Sequence, residues 1–184
     1  MQTQLTEAFR ADRAGQAAER ILRACVHCGF CLATCPTYQL LGSELDSPRG
    51  RIYLIKQLLE GQTGSERTRL HLDRCLTCRS CETTCPSGVT YGHLLDVGRE
   101  LIERQAPRPP GQRLLRRGLR LVLPEAGRFA LLAALGRAVR PLLPGKLRAA
   151  VPERPALTHY PAPATRPTRR VLLLDGCVQP TLRP

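Results

Sequence analysis

The sequence predicts a mainly α protein, and three observations carry that prediction. Eight of its nine cysteines fall in two copies of one pattern, C-x2-C-x2-C-x3-C-P: Cys25, Cys28, Cys31, Cys35 and Pro36, then Cys75, Cys78, Cys81, Cys85 and Pro86. The segments around and between these runs repeat apolar residues at helical intervals. No alternating strand pattern occurs before residue 170.

Residues 5–24 read as the first helix, with Leu5, Phe9, Ile21 and Leu22 as apolar anchors among alanines. A turn region from Gly42 to Asp46 follows the first cysteine run. Ser47 and Pro48 open the next helix, Ser as the cap and Pro at the first helical position. Along RIYLIKQLLE, Ile52, Ile55 and Leu59 share one face with Leu54 and Leu58 beside it, and Gly61 is the natural stop. Ser65 caps a short helix, ERTRLHLDR, that leads into the second run. Over 90–104 a further helix is expected, because Tyr91, Leu94, Leu95, Leu101 and Ile102 form one continuous face. Pro107, Pro109 and Pro110 end it. Beyond lie two basic amphipathic helices near 112–123 and 125–140, then a Pro-rich extended stretch over 151–168. A buried strand, VLLLDGCV, is expected over 171–178. One strand alone has nothing to pair with, so the natural protein is expected to continue past it.

Composition narrows the function. Aromatic residues make up only 4% of the 184 residues and Trp is absent, so a core of small aliphatic side chains needs added support. The nine cysteines are candidates to give it. The polar N-terminus, MQTQLTEAFRADR, has no apolar signal core, and no run of eighteen apolar residues occurs. The sequence therefore reads as cytoplasmic, where clustered thiols mean metal rather than disulfides. The net charge of +13 is concentrated: residues 105–170 hold fourteen Arg and Lys against Glu125 and Glu153. The cysteine-bearing part is nearly neutral.

The spacing of the runs points to iron–sulfur chemistry. Each iron corner of a 4Fe–4S cube takes one thiolate. Three cysteines two residues apart wrap three corners, and the fourth, three residues on, has turned into the next element. With two runs, each fourth cysteine reaches the other run's cluster. Cys25, Cys28, Cys31 and Cys85 are thus expected on one cluster, and Cys75, Cys78, Cys81 and Cys35 on the other. The proline after each fourth cysteine turns the chain away. Zinc sites instead use separated C-x2-C pairs, a poor description of these triple runs. Metal–thiolate bonds between the runs would also stabilise the fold.

The long interval between Cys35 and Cys75, with two helical segments in it, resembles the alpha-helical ferredoxin domain of succinate dehydrogenase iron–sulfur subunits and heterodisulfide reductases. The strings CVHCGFCLATCPTYQLLGSELDSPRGRIYLIKQLLEG and CLTCRSCETTCPSGVTYGHLLDVGRE resemble, more closely, the glycolate oxidase (glycolate dehydrogenase) iron–sulfur subunit family. The resemblance covers residues 1–104 and returns at LLLDGCVQPTLRP. It implies three parts: an alpha-helical ferredoxin domain with two 4Fe–4S clusters over 1–104, a basic Pro/Arg-rich connector over 105–170, and the start of a truncated α/β cysteine-rich domain over 171–184. Cys177 matches the first cysteine of that last domain. The family role implied is non-catalytic: a flavoprotein partner holding FAD oxidises glycolate to glyoxylate, and this subunit passes the electrons toward quinone. Related subunits for lactate, glycerol-3-phosphate or heterodisulfide share the mechanism. A zinc-stabilised nucleic-acid binder is the remote alternative; the charge lies apart from the cysteines and few aromatics are available for stacking, so no nucleic acid is expected.

Four further features carry expectations. Arg79, between two cysteines of the second run, is either a cation raising that cluster's potential or a solvated surface charge. His27 is expected to pack within its loop rather than bind iron. Ser47-Pro48-Arg49-Gly50-Arg51 reads as a helix start with solvated charges, as an anion site, or as a segment touching the cluster loops or the flavoprotein. The basic segment, with Leu114, Leu115, Leu119, Phe129, Leu131 and Leu132, reads as a flexible linker, a contact for an acidic partner, or a peripheral anchor on the inner face of the cytoplasmic membrane.

Overall fold

Side-chain caps and first-turn prolines set where several of the helices begin. A computed structural model describes residues 1–151, 153 and 176–182. The chain divides into two compact units, Met1–Arg108 and Pro109–Pro184.

In the first unit, α1 (Glu7–Ala11) and α2 (Arg13–Ala24) replace the single helix expected over 5–24. Asp12 breaks it: its backbone is extended, and its carboxylate accepts from the Gly15 amide at 3.2 Å. A capping aspartate thus outcompetes helix continuation there. The first cysteine run holds a 3-10 turn, Phe30–Leu32. The turn region contains more structure than the sequence suggests. Pro36 opens α3 (Pro36–Leu41), Gly42 closes it with a left-handed φ of 64°, and a 3-10 turn spans Glu44–Asp46. Ser47 then caps α4 (Pro48–Leu59), accepting the Gly50 amide at 2.9 Å, and the chain turns away at Gly61. Ser65 and Thr68 form a capping box on α5 (Glu66–Asp73). The second run contains α6 (Ser80–Thr83), and α7 (Tyr91–Gln105) follows.

The core lies between α2, α4, α5 and α7. Leu22, Ile55, Leu59, Leu72, Leu94 and Leu95 have no exposed surface, and Tyr91, Leu101 and Ile102 are buried on the expected face of α7. α4 and α7 approach so closely that a Cβ on Gly98 would lie 2.5 Å from Ile55 Cγ1. The N-terminus is tied to this core by the Gln4 amide donating to Glu60 at 2.8 Å and by Thr6 donating to the Leu59 carbonyl.

The second unit holds α8 (Pro110–Val122), α9 (Ala126–Val139), α10 (Gly145–Ala150) and α11 (Gln179–Leu182). The first matches an expected amphipathic helix, whereas the second matches only the expected span, its apolar residues lying all round the axis and not on one face. None of the described residues of this unit is buried. Arg137 reaches the Thr181 carbonyl at 2.9 Å, and Arg140 pairs with Glu153 at 2.7 Å. The extended stretch over 151–168 and the strand over 171–178 fall mostly outside the described residues. Gly176, Cys177 and Val178 are not in a strand, and Cys177 is exposed. No strand occurs among the described residues, and no helix among them is long and apolar enough to cross a membrane.

Candidate metal centre

The two cysteine runs fold alike. His27 and Thr77, fifty residues apart, both have φ of 57°, and Gly29 and Arg79 at the next matching place have φ of 87° and 57°. Each loop thus passes twice through the left-handed region, which favours glycine. Gly29 takes it without strain, whereas Arg79 does not. Such backbone strain in non-glycine residues gathers at binding sites, where the surrounding structure imposes it.

The loops curl around two adjoining hollows. The first, about 440 Å³ with its mouth included, is lined by Cys25, Cys28, Cys31, Cys81 and Cys85. The second, about 310 Å³, is lined by Cys35, Cys75, Cys78 and Cys81. Each hollow draws thiols from both runs. Pro48, Cys81 and Tyr91 line both, and so form the wall between them. Among the described residues no three His, Cys, Asp or Glu side chains converge as a single metal ion would need. The thiols are instead distributed over the walls of the two hollows. Four or five soft donors distributed around each hollow fit a four-iron cube better than one tetrahedral ion.

Burial shapes the thiols. It pushes Cys81 up to about 12, and it also raises Cys25 and Cys31. Cys25 is raised further by Cys85 of the other run, and Cys81 by Cys31, so the runs lie within electrostatic reach of each other. Cys78, near the surface, is lowered by hydrogen bonds from Ser80. The buried thiols would therefore stay neutral without a strong Lewis acid; a bound metal removes their protons.

The Ser47-Arg51 segment touches the first cysteine loop and lines both hollows. Arg49 bonds Glu44 at 2.8 Å and the His27 carbonyl at 3.4 Å. Arg51 is 1% exposed and donates to the His71 carbonyl at 2.7 Å and to Thr37 at 3.1 Å. Asp46 has no exposed surface and receives His71 Nδ1 and Arg74, each at 3.0 Å, with Arg51 at 3.6 Å. Burial alone would raise the Asp46 carboxyl, but His71 and Arg74 hold it below the usual carboxylate range. Gly50 is required here, since a Cβ would meet the Glu44 carbonyl at 2.0 Å.

The remaining candidates fall as follows. Arg79 lines the second hollow but is exposed, its guanidinium beside Gly92. His27 lines the first hollow; burial lowers its pKa, with Arg49 adding to the effect. Its Nε2 is buried without a hydrogen-bond partner among the described residues. Tyr91, Asp46 and Thr37 were not singled out as site residues in the sequence. Tyr91 reads there as one apolar position of α7, yet its hydroxyl is buried without a well-formed hydrogen bond, and burial raises it, with Cys75 next in effect. Its place just after Pro86 was the available signal.

Comparison with known proteins agrees with this geometry. Residues 21–89 match the family described as a 4Fe-4S dicluster domain. The chain is 58% identical, over all its residues, to the "Glycolate oxidase iron-sulfur subunit" of Escherichia coli (strain K12), covering 45% of that protein. It is 32% identical over 86% of its residues to the "Probable glycolate oxidase iron-sulfur subunit" of Bacillus subtilis (strain 168), covering 41% of it. The chain thus spans less than half the length of these relatives. No solved structure matches it. Residues 21–89 thus match a 4Fe–4S dicluster domain, a module for two such clusters, within a chain similar along its whole length to a glycolate oxidase iron–sulfur subunit.

Proposed function

We propose that this chain is an electron-transfer segment of a glycolate oxidase iron–sulfur subunit, with one 4Fe–4S cluster on Cys25, Cys28, Cys31 and Cys85 and the other on Cys35, Cys75, Cys78 and Cys81. The observation that supports this most directly is the meeting of thiols from both runs around each hollow. When bound, a 4Fe–4S cluster takes up and gives back one electron at a time. The chain's residues do the rest. The thiolates fix each cluster, while Pro36 and Pro86 turn the backbone out of the way. Pro48, Ile52, Val89 and Tyr91 limit water at the first hollow. Cys81, on the wall of both hollows, keeps the two sites close enough for electrons to pass between them.

The names of the relatives support glycolate as the source of the electrons; its oxidation to glyoxylate on a flavoprotein partner is part of the proposal. Purification without oxygen is expected to yield about eight irons per chain with matching acid-labile sulfide, and EPR signals after dithionite reduction. Colourless, zinc-loaded protein without sulfide would contradict the reading. In a complex with its flavoprotein, glycolate is expected to bring up the same EPR signals. Reduction by lactate or glycerol-3-phosphate in its place would assign the chain to a related complex.

A separate observation favours contact with a membrane surface. On α8, Leu114, Leu115 and Leu119 are 72%, 64% and 44% exposed, while Arg113, Arg116, Arg117 and Arg120 occupy the opposite side of the helix. A helix of this kind lies on an anionic bilayer and brings its electrons to a quinone there. Sedimentation with anionic but not neutral vesicles, weakened by salt, is the expected result. Sedimentation with neither kind of vesicle, or equally with both, would set it aside.

A further inference from the structure

Arg51 directs its donors inside the protein, toward one of the eight cysteines. Its Nη2 donates to Thr37 Oγ1 at 3.1 Å, and its Nη1 lies 4.0 Å from Cys35 Sγ. Thr37 Oγ1 is itself 3.2 Å from that sulfur. The same hydroxyl lies 2.9 Å from the Asp46 carbonyl, so its one proton has two acceptors. A metal-bound thiolate is the stronger of the two, because charge-assisted hydrogen bonds are roughly twice as strong as neutral ones. Donation from Arg51 also polarises the hydroxyl toward the sulfur. Asp46 offsets the Arg51 charge only in part, since Arg74 and His71 share it. At the first hollow the arginine is Arg49, 31% exposed and paired with Glu44 at 2.8 Å, so its charge is screened by water and by its partner.

We infer that Arg51, acting through Thr37 on Cys35, raises the reduction potential of the second hollow's cluster above that of the first, making it the site where an electron comes to rest. The inference rests on the proposed cysteine assignment. Hydrogen bonds to ligand sulfur and nearby charge are established levers on cluster potential. Reduction adds negative charge, which a buried cation favours more than an exposed one.

The test is an EPR-monitored redox titration of the full chain, purified without oxygen. Cys28→Ser and Cys78→Ser first mark which signal belongs to which hollow. Thr37→Val keeps the side chain's shape and removes its hydroxyl. It is expected to lower the midpoint potential of the signal that Cys78→Ser alters and leave the other unchanged, while Thr37→Ser restores it. Arg51→Gln is expected to lower the same potential further. Unshifted potentials in Thr37→Val, equal shifts in the Val and Ser variants, or a shift confined to the other signal would overturn the inference and leave the two-cluster reading intact. Protein that holds no sulfide would overturn that reading, and the inference with it.

Discussion

Asp46 shows how much of the site depends on single residues that look ordinary in the sequence. It is fully buried with Arg51, Arg74 and His71 around it. Removing one member of a buried charge group leaves the others uncompensated, at a cost of about 3–5 kcal/mol. Asp46→Ala is expected to lose that much in denaturant unfolding of the iron-loaded protein, and a loss below 1 kcal/mol would show the group to be solvated. Arg79 is the opposite case. Its left-handed backbone carries roughly 1–2 kcal/mol of strain, so Arg79→Gly is expected to be neutral to modestly stabilising. The same measurement checks it, with clear destabilisation as the contrary result. The eight cysteines stand out one by one in the sequence, because their spacing is the one that a cluster would need. Asp46 and Thr37 do not, and Arg51 does so only as one charge of the Ser47-Arg51 segment, because what makes them matter is burial against partners distant in the chain: 25 residues away for Asp46 and His71. Arg51 stands one turn into a polar-looking helix start, and only the packing of α3, α4 and α5 encloses it.

At the scale of elements, the helices with strong local signals were the ones read correctly. Ser47 and Ser65 cap where they were expected to, and the apolar face of α7 is the buried one. The break at Asp12 and the short α3 were missed. Both depend on a few residues whose local preferences compete evenly with helix continuation. The glycines of α4 and α7 were also silent, since a close approach involves two elements. Gly98→Ala would press its new methyl on Ile55 and is expected to cost about 1–3 kcal/mol, as overpacking does. Thermal unfolding of the variant checks this, and an unchanged midpoint would mean α4 and α7 sit farther apart.

For the whole molecule, two kinds of stabilisation divide the first unit. The apolar core of α2, α4, α5 and α7 rests on aliphatic burial. The cysteine loops carry strained backbone and free thiols, and the proposed cross-ligation would tie them together through metal bonds. Removing the iron with a chelator under reducing conditions is expected to speed amide exchange in residues 25–35 and 75–85 far more than in α4 and α7. Uniform exchange throughout Met1–Arg108 would mean that the metal holds the entire unit.

The account depends on each hollow being completed by a cysteine of the opposite run, and EPR of cysteine variants addresses that directly. Cys85→Ser and Cys28→Ser are expected to alter one and the same signal of the reduced protein, leaving the signal of Cys78→Ser untouched. A Cys85→Ser spectrum altered like that of Cys78→Ser would contradict the account, because each run would then bind its own cluster.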